Sequence, residues 1–150
     1  MSTTPGRPAL EHLRSALTGV ERFEVGPLDL DDACRQYTEE GYEVTPWLRE
    51  FLTDYGELTV TWMHRDWEEE LTTSVESAMD APIRNVRSYA RRIGRPVLPI
   101  GAVFSTAEYL LLAEDGEVLF GGDAGIQRVA HGFEAAVRAL VTGDWDKTFF

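Results

Sequence analysis

The chain has 150 residues and a formal net charge of −12, from 26 acidic residues against 14 basic ones, and 43% of it is apolar. That length suits one domain with one hydrophobic core, and the apolar content is too high for a disordered acidic chain. The charge argues against a generic binder of nucleic acid or of an anionic membrane, because both reward a basic surface.

The excess charge is unevenly spread. Residues 1–80 carry 18 acids and 6 arginines, whereas residues 81–150 carry 8 acids and 8 basic residues. The longest apolar runs, such as Tyr109–Ala113, are far short of a membrane span, and the first residues lack the apolar stretch of a secretory signal. One cysteine, Cys34, allows no internal disulfide and no cysteine-rich metal site. A cytoplasmic protein is expected.

Residues 1–8, with Pro5, Gly6 and Pro8, read as a flexible N-terminus, and residues 9–150 as a single domain. Leu10, Leu13 and Leu17 space a first helix over Ala9–Val20, ended by Gly19. Phe23 and Val25 alternate with charged residues as a short strand, stopped at Gly26-Pro27. Asp29 is positioned to cap a second helix, whose apolar face is Leu30, Ala33, Cys34 and Tyr37 and whose exit is Gly41. Thr45-Pro46 is a cap followed by proline at the first helical position, opening a helix through Trp47, Leu48, Phe51, Leu52 and Tyr55 that Gly56 stops.

The period then changes. Leu58, Val60 and Trp62 alternate with Thr59, Thr61 and Met63, which predicts a half-buried strand over Leu58–His64. Asp66–Glu70 is an acidic connection, with a second strand expected at Leu71–Val75. Asp80-Ala81-Pro82 opens a helix with Ile83, Val86, Ala90 and Ile93 inward and Arg84, Arg87, Arg91 and Arg95 on another face, ended by Gly94. Ala102–Phe104, Glu108–Ala113 and Glu117–Phe120 read as strands, the last two joined by the hairpin signal Asp115-Gly116. Gly121, Gly122 and Gly125 read as a flexible loop, and Phe133, Ala136, Val137 and Leu140 as a closing helix ended by Gly143. The expected class is α+β: one domain with a mostly antiparallel central sheet flanked by about five helices.

No catalytic motif is present. There is no phosphate loop, no Gly-x-Ser-x-Gly elbow and no His-Glu-x-x-His. His12, His64 and His131 fall in different elements without a partner at metal-ligand spacing, and Cys34 lies on an apolar helix face. Asp29, Asp31 and Asp32 lack the ligand spacing of a calcium loop and suit a helix N-terminus instead. Neither a cofactor nor a metal is expected.

Two charge features remain. One is acidic: Glu39, Glu40 and Glu43, then Asp66, Glu68, Glu69 and Glu70, with Tyr42, Trp62 and Trp67 interleaved. It reads either as a solvated face or as a surface that steers and holds a basic partner, the aromatics supplying anchoring contacts. The other is the arginine stripe on the helix after Pro82, with Arg92 beside it. A structural role fits it better than nucleic-acid contact, given the net charge.

Gly41-Tyr42 and the run Thr45-Pro46-Trp47-Leu48-Arg49-Glu50-Phe51-Leu52-Thr53-Asp54-Tyr55-Gly56-Glu57-Leu58-Thr59-Val60 resemble the characteristic segment of the SUKH superfamily, closest to its third branch, common in actinobacteria. Tyr89–Gly94 with Leu98-Pro99-Ile100-Gly101, then Leu110–Val118, then Gly132–Val137 through Gly143 resemble later features of that branch in the same order. The match runs from about Asp29 to Gly143. Two departures stand out: Glu57 occupies a position where a second glycine is usual, and Phe23–Leu28 stands where Gly-Trp and Gly-Arg features often precede the first helix.

The resemblance implies an α+β fold and an immunity protein of a polymorphic toxin system. Such a protein binds and blocks a cognate toxin, often a nuclease or deaminase, and has no catalytic residues of its own. The expected partner is a basic toxin domain, with no direct contact to nucleic acid or membrane; a homodimer is left open. The alternative is an interaction or regulatory module without a toxin, and a third reading is a hydrolase using acidic residues and His131.

Overall fold

A computed structural model describes residues 7–103 and 108–149. The flexible stretch expected at residues 1–8 lies outside the described residues up to residue 6, and so does Phe104 of an expected strand.

The first half alternates helices and strands. Helix α1 (Pro8–Ala16) leads into strand β1 (Val20–Val25), then α2 (Leu30–Glu40) and α3 (Pro46–Tyr55). Both expected caps are made: Asp29 accepts from the Asp32 N–H, and the Thr45 hydroxyl accepts from the Leu48 N–H at 3.2 Å. Gly41 closes α2 in the left-handed conformation, φ 102°. Helix α1 is shorter than its leucine spacing predicts. It ends at Ala16, Gly19 turns the chain at φ 77°, and Val20 already belongs to β1.

Strands β2 (Leu58–His64) and β3 (Trp67–Thr72) form a hairpin whose turn is Arg65-Asp66, with Arg65 at φ 58°. The second strand therefore occupies the acidic run rather than Leu71–Val75. Pairing overrides charge here: Leu71 and Glu69 face the same side as Val60 and Trp62, which leaves Glu68 and Glu70 to the opposite side. Ser74, whose hydroxyl accepts from the Ser77 N–H, instead caps a short helix α4 (Val75–Ala78) that the sequence pattern did not mark.

Helix α5 (Ile83–Ile93) precedes four strands: β4 (Val97–Val103), β5 (Glu108–Ala113), β6 (Glu117–Gly122) and β7 (Gly125–His131); α6 (Phe133–Thr142) follows. The expected glycine loop is a hairpin. Gly121 and Gly122 end β6, Gly125 begins β7 at φ 129°, and only Asp123-Ala124 lie between. Gly121 is required by packing, since a Cβ there would lie 2.7 Å from the Tyr89 ring of α5.

All seven strands form one antiparallel sheet in sequence order. Among the described residues β3 and β4 pair through Leu71–Val103 and Thr72–Ala102. The approach there is close at Gly101, where a Cβ would sit 2.0 Å from the Thr72 carbonyl oxygen. Helices α4 and α5 pack on β4, and α6 packs on β6 and β7. The buried core joins them, with Phe133 of α6 stacked against Phe51 and Tyr55 of α3 at ring distances of 5.1 and 4.7 Å. Tyr37 of α2 is fully buried and donates its hydroxyl to the Pro99 carbonyl at 2.6 Å, tying α2 to β4; burial raises its pKa. No helix among the described residues is long and apolar enough to cross a membrane.

Candidate functional site

The acidic residues singled out in the sequence fall on two separate elements. Glu39 and Glu40 end α2, and Glu43 follows in the loop to α3; all three are exposed. This loop abuts α5: a Cβ on Gly41 would meet the Ile83 side chain at 3.1 Å, and the Arg87 guanidinium lies nearby. Tyr42, between these acids, is not a surface anchor. Only 8% exposed, it packs edge-on to Tyr37 with ring centroids 6.0 Å apart, and its hydroxyl is buried with no hydrogen-bond partner among the described residues. Burial first, and Glu40 second, push its pKa up to about 12.

The β2–β3 hairpin carries the rest. Trp62 is 2% exposed and belongs to the core, with its indole N–H buried and without a hydrogen-bond partner among the described residues. Glu69, directly opposite it, is buried as well, and accepts from the Trp67 indole N–H at 2.9 Å. That bond holds Trp67 in place while leaving it 52% exposed, opposite His64 and with its ring edge-on to the imidazole. On the other side of the hairpin, Met63 is 48% exposed and opposes Glu68; Glu70 opposes Thr61, and Asp66 is exposed in the turn.

β1 extends this outer side: Arg22 opposes Thr61, and Glu24 opposes Thr59. The outer side of β1–β3 therefore carries Arg22, Glu24, Thr59, Met63, Glu68 and Glu70 around Thr61, which is itself only 4% exposed. Asp66, Glu68 and Glu70 make no ion pair among the described residues, so their field is not cancelled locally.

The arginine stripe divides. Arg95 pairs with Asp115 and Glu117 across the β5–β6 turn, and Arg128 also reaches Glu117, at 3.3 Å. Arg84, Arg87 and Arg91 make no ion pair among the described residues and stay exposed on α5. Of the stripe, Arg95 is matched by acids of the second half, and Arg84, Arg87 and Arg91 form no ion pair with the first half among the described residues.

His131 joins the same turn, 3.5 Å from Asp115. Asp115, Glu117 and His131 are the one group among the described residues with metal-ligand proximity. Their carboxylates already face Arg95 and Arg128, which a cation would have to displace. The Glu117 N–H and then the Arg95 charge hold the Asp115 pKa low. The arrangement locks a hairpin turn and offers no nucleophile or base aimed at an open cavity.

A groove of about 780 Å³ opens between α1 and β1, walled by Leu10, Phe23, Val25, Pro27 and Leu28 and flanked by Arg7 and Arg14. Arg7 is anchored on the carbonyl oxygens of Thr53 and Leu52 at the end of α3, at 2.9 and 3.1 Å, and its pKa is lowered by burial. Arg14 stacks over the Phe23 ring at 4.9 Å. Nothing in the sequence pattern marked this groove, because α1 and β1 each show only one apolar face and the space between them is set by packing.

No curated protein and no solved structure matches the chain. The SUKH-3 immunity protein family model matches residues 29–143, the segment running from the cap of α2 through all the later strands to the end of α6. The β2–β3 hairpin with its acids and the helix–glycine punctuation all lie within it, and the chain belongs to the SUKH-3 immunity protein family.

Proposed function

We propose that this chain neutralises its cognate toxin by covering a basic, nucleic-acid-handling surface with the acidic β2–β3 hairpin. One observation carries the reading: Trp67, a large exposed aromatic fixed by its bond to Glu69, stands next to Asp66 at the hairpin tip, with Glu68 and Glu70 on the opposite side of the hairpin, and none of these three acids makes an ion pair among the described residues. A nuclease or deaminase holds phosphates with lysine and arginine, so its active-site groove is the complement of such a surface. Asp66 at the tip enters that groove beside Trp67, which supplies the anchoring contact, while Glu68 and Glu70 add steering charge from the other side of the hairpin. Glu39, Glu40 and Glu43 add to the long-range field from α2. Tyr42 and Trp62 act from inside, by holding the loop and strand that present the acids.

In this reading the chain is not an enzyme and needs no cofactor. It works by occlusion in the cytoplasm, where an incoming nucleic-acid-directed toxin would act.

The test is a titration of the purified chain against the toxin domain encoded beside it. Raising salt from about 0.05 to 0.3 M should weaken binding at least tenfold, mainly through the on-rate. Replacing Trp67 with Ala should cost about 2 kcal/mol of binding with little change in melting temperature. A Kd indifferent to both changes would refute the hairpin as the docking surface.

A further inference from the structure

β1 is the first strand in the sheet order and, among the described residues, pairs only with β2. Its neighbours reveal which of its backbone groups are used. The Gly26 N–H donates to the Glu57 carbonyl at 2.8 Å. On the far edge of β2, the Thr73 N–H donates to the Leu58 carbonyl at 2.9 Å, and the Leu58 N–H donates to the Thr73 hydroxyl at 3.0 Å. Leu58 thus addresses β3. By alternation Thr59 and Thr61 address β1, pairing with Glu24 and Arg22. The N–H and C=O groups of Phe23 and Val25 then point outward, and no strand meets them among the described residues.

The side chains along this edge sort in a matching way. Phe23 and Val25 face the groove beside α1, and Val25 is 42% exposed. Arg22 and Glu24 are exposed on the opposite face, and neither makes an ion pair among the described residues.

We propose that β1 pairs antiparallel with β1 of a second copy of this chain, with Phe23 opposite Phe23 of the partner subunit on a two-fold axis. The two Phe23 residues then exchange both backbone hydrogen bonds, and the two seven-stranded sheets become one. This register sets Arg22 opposite Glu24 of the partner subunit, and Glu24 opposite Arg22 of the partner subunit. Both fall at non-hydrogen-bonded positions, where side chains approach closest. The edge is therefore complementary to itself. Shifting the register to place Phe23 opposite Val25 of the partner subunit would set Glu24 against Glu24 of the partner subunit, a like-charge contact, so charge selects one alignment. The pairing covers the exposed Val25 and closes the side of the apolar groove. It leaves the β2–β3 hairpin free, so the proposal stands whether or not that hairpin binds a toxin.

Light scattering on the intact chain, from micromolar to submillimolar concentration, should show a mass rising to twice 16.9 kDa. Arg22→Glu and Glu24→Arg should each weaken the dimer about tenfold or more, since both symmetry-related pairs become repulsive. The double variant Arg22→Glu/Glu24→Arg should restore it, with circular dichroism confirming the fold throughout. Amide exchange gives a second readout. The Phe23 and Val25 amides should slow as concentration rises, while those of Arg22 and Glu24, bonded to β2 already, should not. A chain that stays monomeric, a dimer indifferent to either single reversal, a folded double variant that fails to pair, or Phe23 exchange independent of concentration would each overturn the proposal.

Discussion

Glu57 shows how one residue can depart from a family pattern and still be accommodated. It sits at φ 59°, in the left-handed region where glycine is favoured, which explains why a glycine is usual at this position. Its side chain offsets the strain by accepting from the Val75 N–H at 2.9 Å, at the start of α4. Two substitutions separate the effects. Glu57→Ala keeps the strained backbone and loses the bond, and should destabilise by about 1–2 kcal/mol. Glu57→Gly loses the same bond but relieves the strain, so denaturant unfolding should place it within about 1 kcal/mol of the parent. The exposed aromatic Trp67 and the buried Trp62 make a related contrast: they share one face of the hairpin, and Trp67 reaches solvent because it stands at the turn end while Trp62 lies further in, in the core.

β3 and β4 meet at Leu71–Val103 and Thr72–Ala102 beside one close backbone approach at Gly101. A side chain there would force the Thr72 carbonyl away and disturb the pairing of β3 with β4. Gly101→Ala should therefore destabilise by more than about 3 kcal/mol, or leave the chain unable to fold, as judged by loss of cooperative thermal unfolding. Gly94→Ala is the matching control: it has a left-handed φ of 82° but open space around its Cβ position, and should cost only about 1 kcal/mol. The same logic explains why β7 was illegible as a strand. Three glycines read locally as a loop, but in the fold Gly121 makes room for Tyr89 and Gly125 enters the last strand.

Charge on the surface is left largely unpaired. Acids of the first half stand on the hairpin and at the end of α2, and Arg84, Arg87 and Arg91 make no ion pair among the described residues on α5, although Arg87 lies close to the loop after α2. One buried carboxyl works against stability. Glu108 is half-buried with one oxygen unpartnered, and burial raises its pKa above the ordinary value. The unfolded chain ionises this group at lower pH than the folded one. Stability is therefore undiminished below the ordinary carboxyl pKa and is lost as pH rises through the raised one. Glu108→Gln should raise the melting temperature by a few degrees at neutral pH, and the gain should vanish near about pH 4. A gain of equal size at both values would mean that ionisation is not its source.

The local punctuation of this fold was written into its residues. The Asp29 and Thr45-Pro46 caps, the Gly41 exit, the alternation through Leu58–His64 and the Asp115-Gly116 turn each act within a few residues, and each formed as expected. The ordered family segments were legible for the same reason, since they consist largely of such signals. Long-range pairing decided the rest: that an acidic run becomes a strand, that Trp62 and Tyr42 are buried while Trp67 is presented, and that Arg95 serves the β5–β6 turn. It also created the free edge of β1 and the groove beside it, because an edge or a groove is a relation between distant segments and has no period that one segment can carry.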